Sequence, residues 1–282
     1  MLADAVELPA DRAATQPGAT HPVHRRAPVR VGLARNDVLH LHLNRSGIRL
    51  GFVDQLGVVP ERERRTVERR IRAARFPATK SLDTFDFTAI PSLNKMLVLD
   101  LARSEYILRR ENVIALGNSG TGKTHVALAL GLAACQKGFT VAFTTAAALV
   151  NQLMEARDER RLLKTQRELQ ATKLLIIDEL GYVPLSSTGA ELLFEVFSQR
   201  YERGSTIVTS NLPFEDWTSV LGSQRLTGAL LDRLTHHVSI LTMNGDSYRL
   251  RQSTGRLRAA AGPEQIQATD MVDPDTGELV TT

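Results

Sequence analysis

The segment Gly117-Asn118-Ser119-Gly120-Thr121-Gly122-Lys123-Thr124 constrains the fold more than any other stretch of the chain. It meets the pattern G-x-x-x-x-G-K-[ST] at every fixed position. The apolar run Val113-Ile114-Ala115-Leu116 precedes it, and good helix formers follow as far as Cys135. A strand, a glycine-rich turn and a helix in that order aim the backbone N–H groups of the turn inward at the positive end of the helix, which makes an anion nest. From such a nest Lys123 reaches the β- and γ-phosphates of a nucleoside triphosphate, and the Thr124 hydroxyl ligates Mg2+. A glycine-rich turn would meet the pattern by chance in a chain of this length on the order of once in a hundred. ATP is therefore expected against Gly117 to His125, with Mg2+ as its companion.

Composition narrows the rest. The 282 residues suit one large domain or a domain with an appendage, and 43% hydrophobic with 23% charged residues is the balance of a soluble globular protein. The one cysteine, Cys135, excludes an internal disulfide and suits a reducing cytoplasm. The first residues carry acids and do not read as a secretory signal, and the longest apolar helical run, Val126 to Cys135, is too short to span a bilayer, so no membrane partner is expected. A net charge of +4 permits nucleic-acid binding without arguing for it.

Residues 1–60 are the least informative. Met1 to Pro28 is rich in Ala, Pro and Thr and reads as disordered, and the alternation Leu39-His40-Leu41-His42-Leu43 reads as a short strand, not a metal site. Residues 61–110 form a lead-in. Glu61 to Arg75 is helical, with Val67, Ile71 and Ala74 on one stripe and Arg62, Arg65, Arg69 and Arg72 on another. Seven arginines against three glutamates make it a basic surface, either a solvated face or a contact for a nucleic-acid phosphate backbone. Glu61–Arg65 and Glu68–Arg72 have ion-pair spacing. Phe85 and Phe87 follow, plugging a core edge or lying against the base of a nucleotide, and then a helix around Leu93 to Arg103. From Phe139 strands and helices alternate: strands at 139–144, 173–178, 206–209 and 237–243, and helices at 146–157, 188–203 and 226–234, with a charged helical stretch continuing from Glu155 to Gln170. This order predicts an α/β domain over 111–253 with a mostly parallel sheet covered on both faces. Residues 254–282 read as a disordered tail.

Three further groups carry chemistry. Asp178-Glu179 closes the most apolar strand, where adjacent acids are costly unless used. With a phosphate loop upstream, Asp178 is expected on Mg2+ and Glu179 on the attacking water, which favours ATP hydrolysis over transfer to a small molecule. Asn211, past the next strand, either faces the γ-phosphate or caps a turn before Pro213. Arg233 is either an arginine finger for a neighbour's nucleotide or a surface ion pair with Asp232.

Together the segments RRIRAARFP, FTTAAALVNQL, LLIIDELGYVPL, GAELLFEVFSQRYERGSTIVTSNLPFEDW, LLDRLTHH and NGDSYRLRQS resemble the IstB-like ATP-binding proteins. These are helper ATPases of bacterial insertion sequences, related to the DnaC helicase loader within the AAA+ superfamily. The resemblance implies an AAA+ P-loop NTPase core of five strands in the order 5-1-4-3-2. It also implies ATP-dependent self-assembly as a homo-oligomer on double-stranded DNA, DNA-stimulated hydrolysis, and delivery of that DNA to a transposase; a DnaC-like adaptor on a replicative helicase is the alternative. It makes Lys123 and Thr124 phosphate-loop ligands, Asp178 and Glu179 the second acidic motif, Asn211 sensor 1 and Arg233 the finger. Two departures stand out. The segment after Ser253 reads as too short and polar for a helical lid, and Arg249 and Arg251 sit where a strand should be ending, so they are not assigned a lid arginine's role; residues 1–60 do not read like the family's opening helix of leucines and acids.

Overall fold

Leu174 to Ile177 is the most apolar run in the sequence, and in the computed structural model all four of its residues are fully buried. The structure describes residues 61–251 and 253, and the backbone of residues 40–44 and 47–51. The expected disordered segments, Met1 to Pro28 and 254–282, lie outside the described residues.

The strand expected at Leu39 to Leu43 is β1 (His40–Asn44), paired antiparallel with β2 (Gly47–Gly51). The basic segment forms α1 (Glu61–Ala73), followed by α2 (Lys95–Leu101) and α3 (Glu105–Arg109). Next come β3 (Asn112–Leu116), α4 (Lys123–Gln136), β4 (Val141–Thr145), α5 (Ala146–Asp158), α6 (Leu162–Ala171) and β5 (Leu174–Leu180). The series ends with α7 (Ser187–Arg200), β6 (Ser205–Ser210), α8 (Trp217–Leu221), α9 (Gln224–Thr235) and β7 (Val238–Thr242).

Strands β3 to β7 form one sheet in the order β4-β5-β6-β3-β7, with every neighbouring pair parallel. Counted from β3 and read from the β7 edge, this is the order 5-1-4-3-2. Strand residues alternate between two apolar clusters because successive side chains leave a strand on opposite faces. Val113, Ala115, Leu174, Ile176 and Ile207 pack on the α4 side. Ile114, Leu175, Ile177 and Val208 pack on the side of α5, α7 and α9. A sheet buried on both faces needs continuous apolar strands, and that is what the sequence supplies.

Helix α4 is buried nearly all round because α1 lies over its outer side. Val67 and Ala74 of the expected apolar stripe are buried, and Phe143 N donates to Ala74 O at 3.0 Å, so the basic lead-in is continuous with the core.

Two helical expectations are corrected. The stretch Glu155 to Gln170 is not one helix. Arg160 takes a left-handed φ of 59°, and the chain turns before α6 starts at Leu162. The helix expected over Leu93 to Arg103 is shorter, with Asn94 Oδ1 capping it through Leu97 N at 3.1 Å and left-handed Ser104 separating it from α3. After β7 the described residues hold only a helical turn at 248–251, so no lid bundle stands among them.

At the end of the sheet where the parallel strands begin, Arg200 is almost completely buried. Its guanidinium donates to Leu169 O (2.5 Å), Thr172 O (2.9 Å), Ser205 O (2.6 Å) and Thr206 Oγ1 (3.2 Å). Burial pushes its pKa down to about 10. Its stem ties the end of α6 and the start of β6 to α7.

Candidate ATP-binding site

The phosphate loop runs from the end of β3 to the start of α4. Gly120 has a φ of 82°, a conformation costly for any residue with a Cβ. A Cβ there would also stand 2.1 Å from Ser247 Oγ. Gly122 (φ 91°) is the N-cap of α4, and a Cβ on it would lie 2.7 Å from the Phe85 ring. The loop is thus open to a ligand but closely covered by distant parts of the chain.

Lys123 Nζ donates to Gly117 O (2.8 Å) and Asn118 O (2.7 Å), so the ammonium sits inside the loop. Burial lowers its pKa; the Asp178 carboxylate opposes that shift and Arg249 adds to it. Thr124 Oγ1 lies 3.0 Å from both carboxylate oxygens of Asp178. Thr209 Oγ1 donates to Asp178 Oδ1 at 2.5 Å and accepts from Glu179 N at 3.0 Å. Asp178 is only 3% exposed, and these hydroxyls offset the cost of burying its charge. Glu179 breaks the ladder. Its φ of 60° coincides with a register shift between Ile177 and Leu180, which lifts it out of the sheet and leaves it exposed on the cavity wall. Left-handed backbone at a non-glycine residue costs on the order of 1–3 kcal/mol and clusters at functional sites.

Loop, Glu179 and strand tips enclose a cavity of about 430 Å³, whose lining includes Ser119 to His125, Thr209 and Asn211. Pro213, not Asn211, holds the N-cap position of the turn that follows, with no side-chain cap bond there, and Leu212 N donates to Ser210 Oγ at 3.1 Å. The opposite wall comes from the lead-in, including Lys80, Thr84 and Phe85, and the rim includes Tyr248 and Arg249. His125 Nε2 lies 2.8 Å from Ser81 O and 3.3 Å from Thr84 Oγ1, with the Phe85 ring edge-on at 5.2 Å. Burial lowers the pKa of His125, the Ser81 carbonyl counteracts this, and Lys80 lowers it further.

Arg233 and the α1 arginines stand apart. Arg233 does not line the cavity and makes no ion pair with Asp232 among the described residues. Its Nη1 donates to Ala229 O at 2.8 Å, and its guanidinium stacks 4.8 Å over the Phe194 ring. Arg62, Arg65, Arg69 and Arg72 are exposed along α1. Arg65 pairs with Glu61 at 2.8 Å, whereas Glu68 approaches Arg64 at 3.9 Å instead of Arg72.

Residues 49–255 match the family model described as IstB-like ATP binding protein. The chain belongs to the IstB-like ATP-binding family. It is 42% identical over 191 residues to the protein named for insertion sequence IS21 and ATP binding in Pseudomonas aeruginosa, covering 68% of this chain and 72% of the relative. Against the corresponding IS5376 protein of Geobacillus stearothermophilus it is 41% identical over 194 residues, covering 69% and 77%. Among solved structures, AMPPCP-bound DnaA from Aquifex aeolicus superposes with a TM-score of 0.51 at 20% identity, over 65% of this chain and 56% of that one. The fold is that of the AAA+ P-loop NTPases.

In this IstB-like chain three participants escaped the motif reading. Thr209 was masked by its apolar strand, where a threonine reads as a β-former. The lead-in wall was legible only as two phenylalanines of uncertain placement. Arg249 was set aside because it sits where a strand should be ending, but the chain forms a helical turn at 248–251 that brings it to the cavity.

Proposed function

We propose that this chain is the ATP-hydrolysing helper of insertion-sequence transposition. In this reading it assembles as a homo-oligomer on double-stranded DNA when ATP is bound and presents the DNA to a transposase. The observation that carries the hydrolytic part is the convergence on one cavity of the phosphate loop, the Thr124–Asp178 pair and the out-of-ladder Glu179.

The division of labour follows from the donor groups. Thr124 and Asp178 offer hard oxygen atoms side by side, a set that suits Mg2+. When bound, Mg2+ supplies charge neutralisation on the β- and γ-phosphate oxygens. The Lys123 ammonium exchanges its two loop carbonyls for phosphate oxygens. Glu179 orients the attacking water and accepts its proton while the bond from the γ-phosphorus to the bridging oxygen breaks, giving ADP and phosphate. Asn211 polarises that water or the γ-phosphate from the neighbouring strand tip. Arg233 serves the site of the next subunit, giving up its bond to Ala229 O to reach it. Double-stranded DNA lies along the exposed arginines of α1, whose apolar side is already committed to α4 and β4. No helix of the described residues is long and apolar enough to cross a membrane.

ATPase rates and sedimentation with and without duplex DNA test this reading. Duplex DNA should stimulate hydrolysis, and DNA with ATP should drive assembly that Lys123→Ala abolishes. Assembly of Lys123→Ala indistinguishable from wild type would sink the proposal. A pull-down that recovers a replicative helicase in place of a transposase would reassign the chain as a helicase-loading adaptor.

A further inference from the structure

At the end of the sheet opposite the phosphate loop, Glu202, His236 and His237 each offer a ligand atom, and these atoms all lie within 4.8 Å of one another. Glu202 follows α7, and the histidines form the connection from α9 to β7. None of the three has a part in the ATP reading.

We propose that Glu202, His236 and His237 hold a divalent transition-metal ion of the Zn2+, Ni2+ or Co2+ class, which cross-links the end of α7 to the start of β7. Two imidazoles and one carboxylate are a borderline donor set that prefers such ions to Mg2+, whose demand is for oxygen ligands. A tetrahedral ion with bonds of ~2.0–2.1 Å needs donor atoms about 3.3 Å apart. All three side chains are exposed, so rotamer changes alone can draw the ligands in by the remaining distance.

The backbones beneath them are pinned. His237 O accepts from Asn112 N at 2.8 Å, and Glu202 O accepts from Arg110 Nη1 at 2.9 Å. That bond engages Arg110 with the carbonyl of Glu202, and the carboxylate faces His236, with Nδ1 3.9 Å from Oε1. The Tyr201 hydroxyl lies 3.0 Å from that same Nδ1, so the ion takes the place of this hydrogen bond when it binds. Three protein ligands leave a fourth position for water.

The test is a Co2+ titration of the full chain with ATP and excess Mg2+ present, read by the visible bands of a tetrahedral Co2+ centre. One equivalent should bind with those bands, and His236→Ala/His237→Ala and Glu202→Gln should each lose them. The other histidines (His21, His24, His40, His42 and His125) make the variants decisive. Bands absent from wild type, or retained in either variant, would overturn the assignment. Glu202→Gln settles the matter even if the double-histidine variant misfolds.

Discussion

The cavity has two walls built by different means. One is the phosphate loop with the tips of β5 and β6, where each group is set by its place along a strand or turn. The other is the lead-in and the segment after β7, held by bonds between residues far apart in the chain. Ser92 Oγ accepts from Asn244 N at 2.9 Å, Tyr248 N donates to Gly120 O at 3.1 Å, and Arg251 Nη2 donates to Ala89 O at 3.2 Å. The first wall carries the groups suited to chemistry. The second decides how tightly the first is covered.

The largest expected effect separates the two walls outright. Glu179→Gln keeps the shape of the first wall but removes its proton acceptor, so turnover should fall ~10²- to 10⁴-fold while ATP affinity changes little. Equal losses in turnover and affinity would mean that Glu179 holds the loop together and has no part in activating water.

Next in size is a break at the seam. Gly120→Ala places a Cβ 2.1 Å from Ser247 Oγ at a φ of 82°, so it drives the second wall off the loop as well as straining it. The backbone strain alone costs about 1–2 kcal/mol. Gly120→Ala with Ser247→Gly should recover the part due to the collision and leave the strain. Melting midpoints and ATP titrations of both variants measure the division. Arg249→Ala is the milder counterpart. It removes a cation from the rim, and ATP affinity should fall about tenfold if that guanidinium meets a phosphate, a charge-assisted contact of ~1.5 kcal/mol. Unchanged affinity would confine Arg249 to the rim.

The same two walls explain what the sequence could reveal. Both sheet faces and the first wall follow from local spacing: an apolar strand, glycines where the turn requires them, and acids at the end of a buried strand. The strand order was legible only through the resemblance to the IstB-like proteins. Thr124 and Asp178 are 54 positions apart, yet each was legible within its own short motif. The second wall has no such code. Its contacts span up to 162 positions, and nothing around Ser81, Ser92 or Arg249 announces a partner. The break at Arg160 was equally hidden, because the charges along Glu155 to Gln170 are those of an exposed helix, and only the left-handed turn interrupts it. The resting contact of Arg233 was hidden for a related reason. Its neighbour Asp232 suggested a pair, but across the fold Phe194 offered an aromatic face, and a weakly hydrated guanidinium stacks there.

The smallest effect concerns the latch between the walls, His125. Burial holds its pKa below the ordinary 6.5, so the folded protein favours the neutral ring that meets Ser81 O and Thr84 Oγ1. As pH falls below 6.5 the unfolded chain takes up a proton at this residue before the folded one does, and stability is lost across that window. Below the folded pKa both states are protonated and the loss levels off. His125→Gln keeps an amide donor for Ser81 O but cannot titrate. Its urea midpoint should therefore change less than that of wild type between about pH 7.5 and about pH 5.5. Identical pH slopes would show that His125 latches the lead-in by shape, with its charge playing no part.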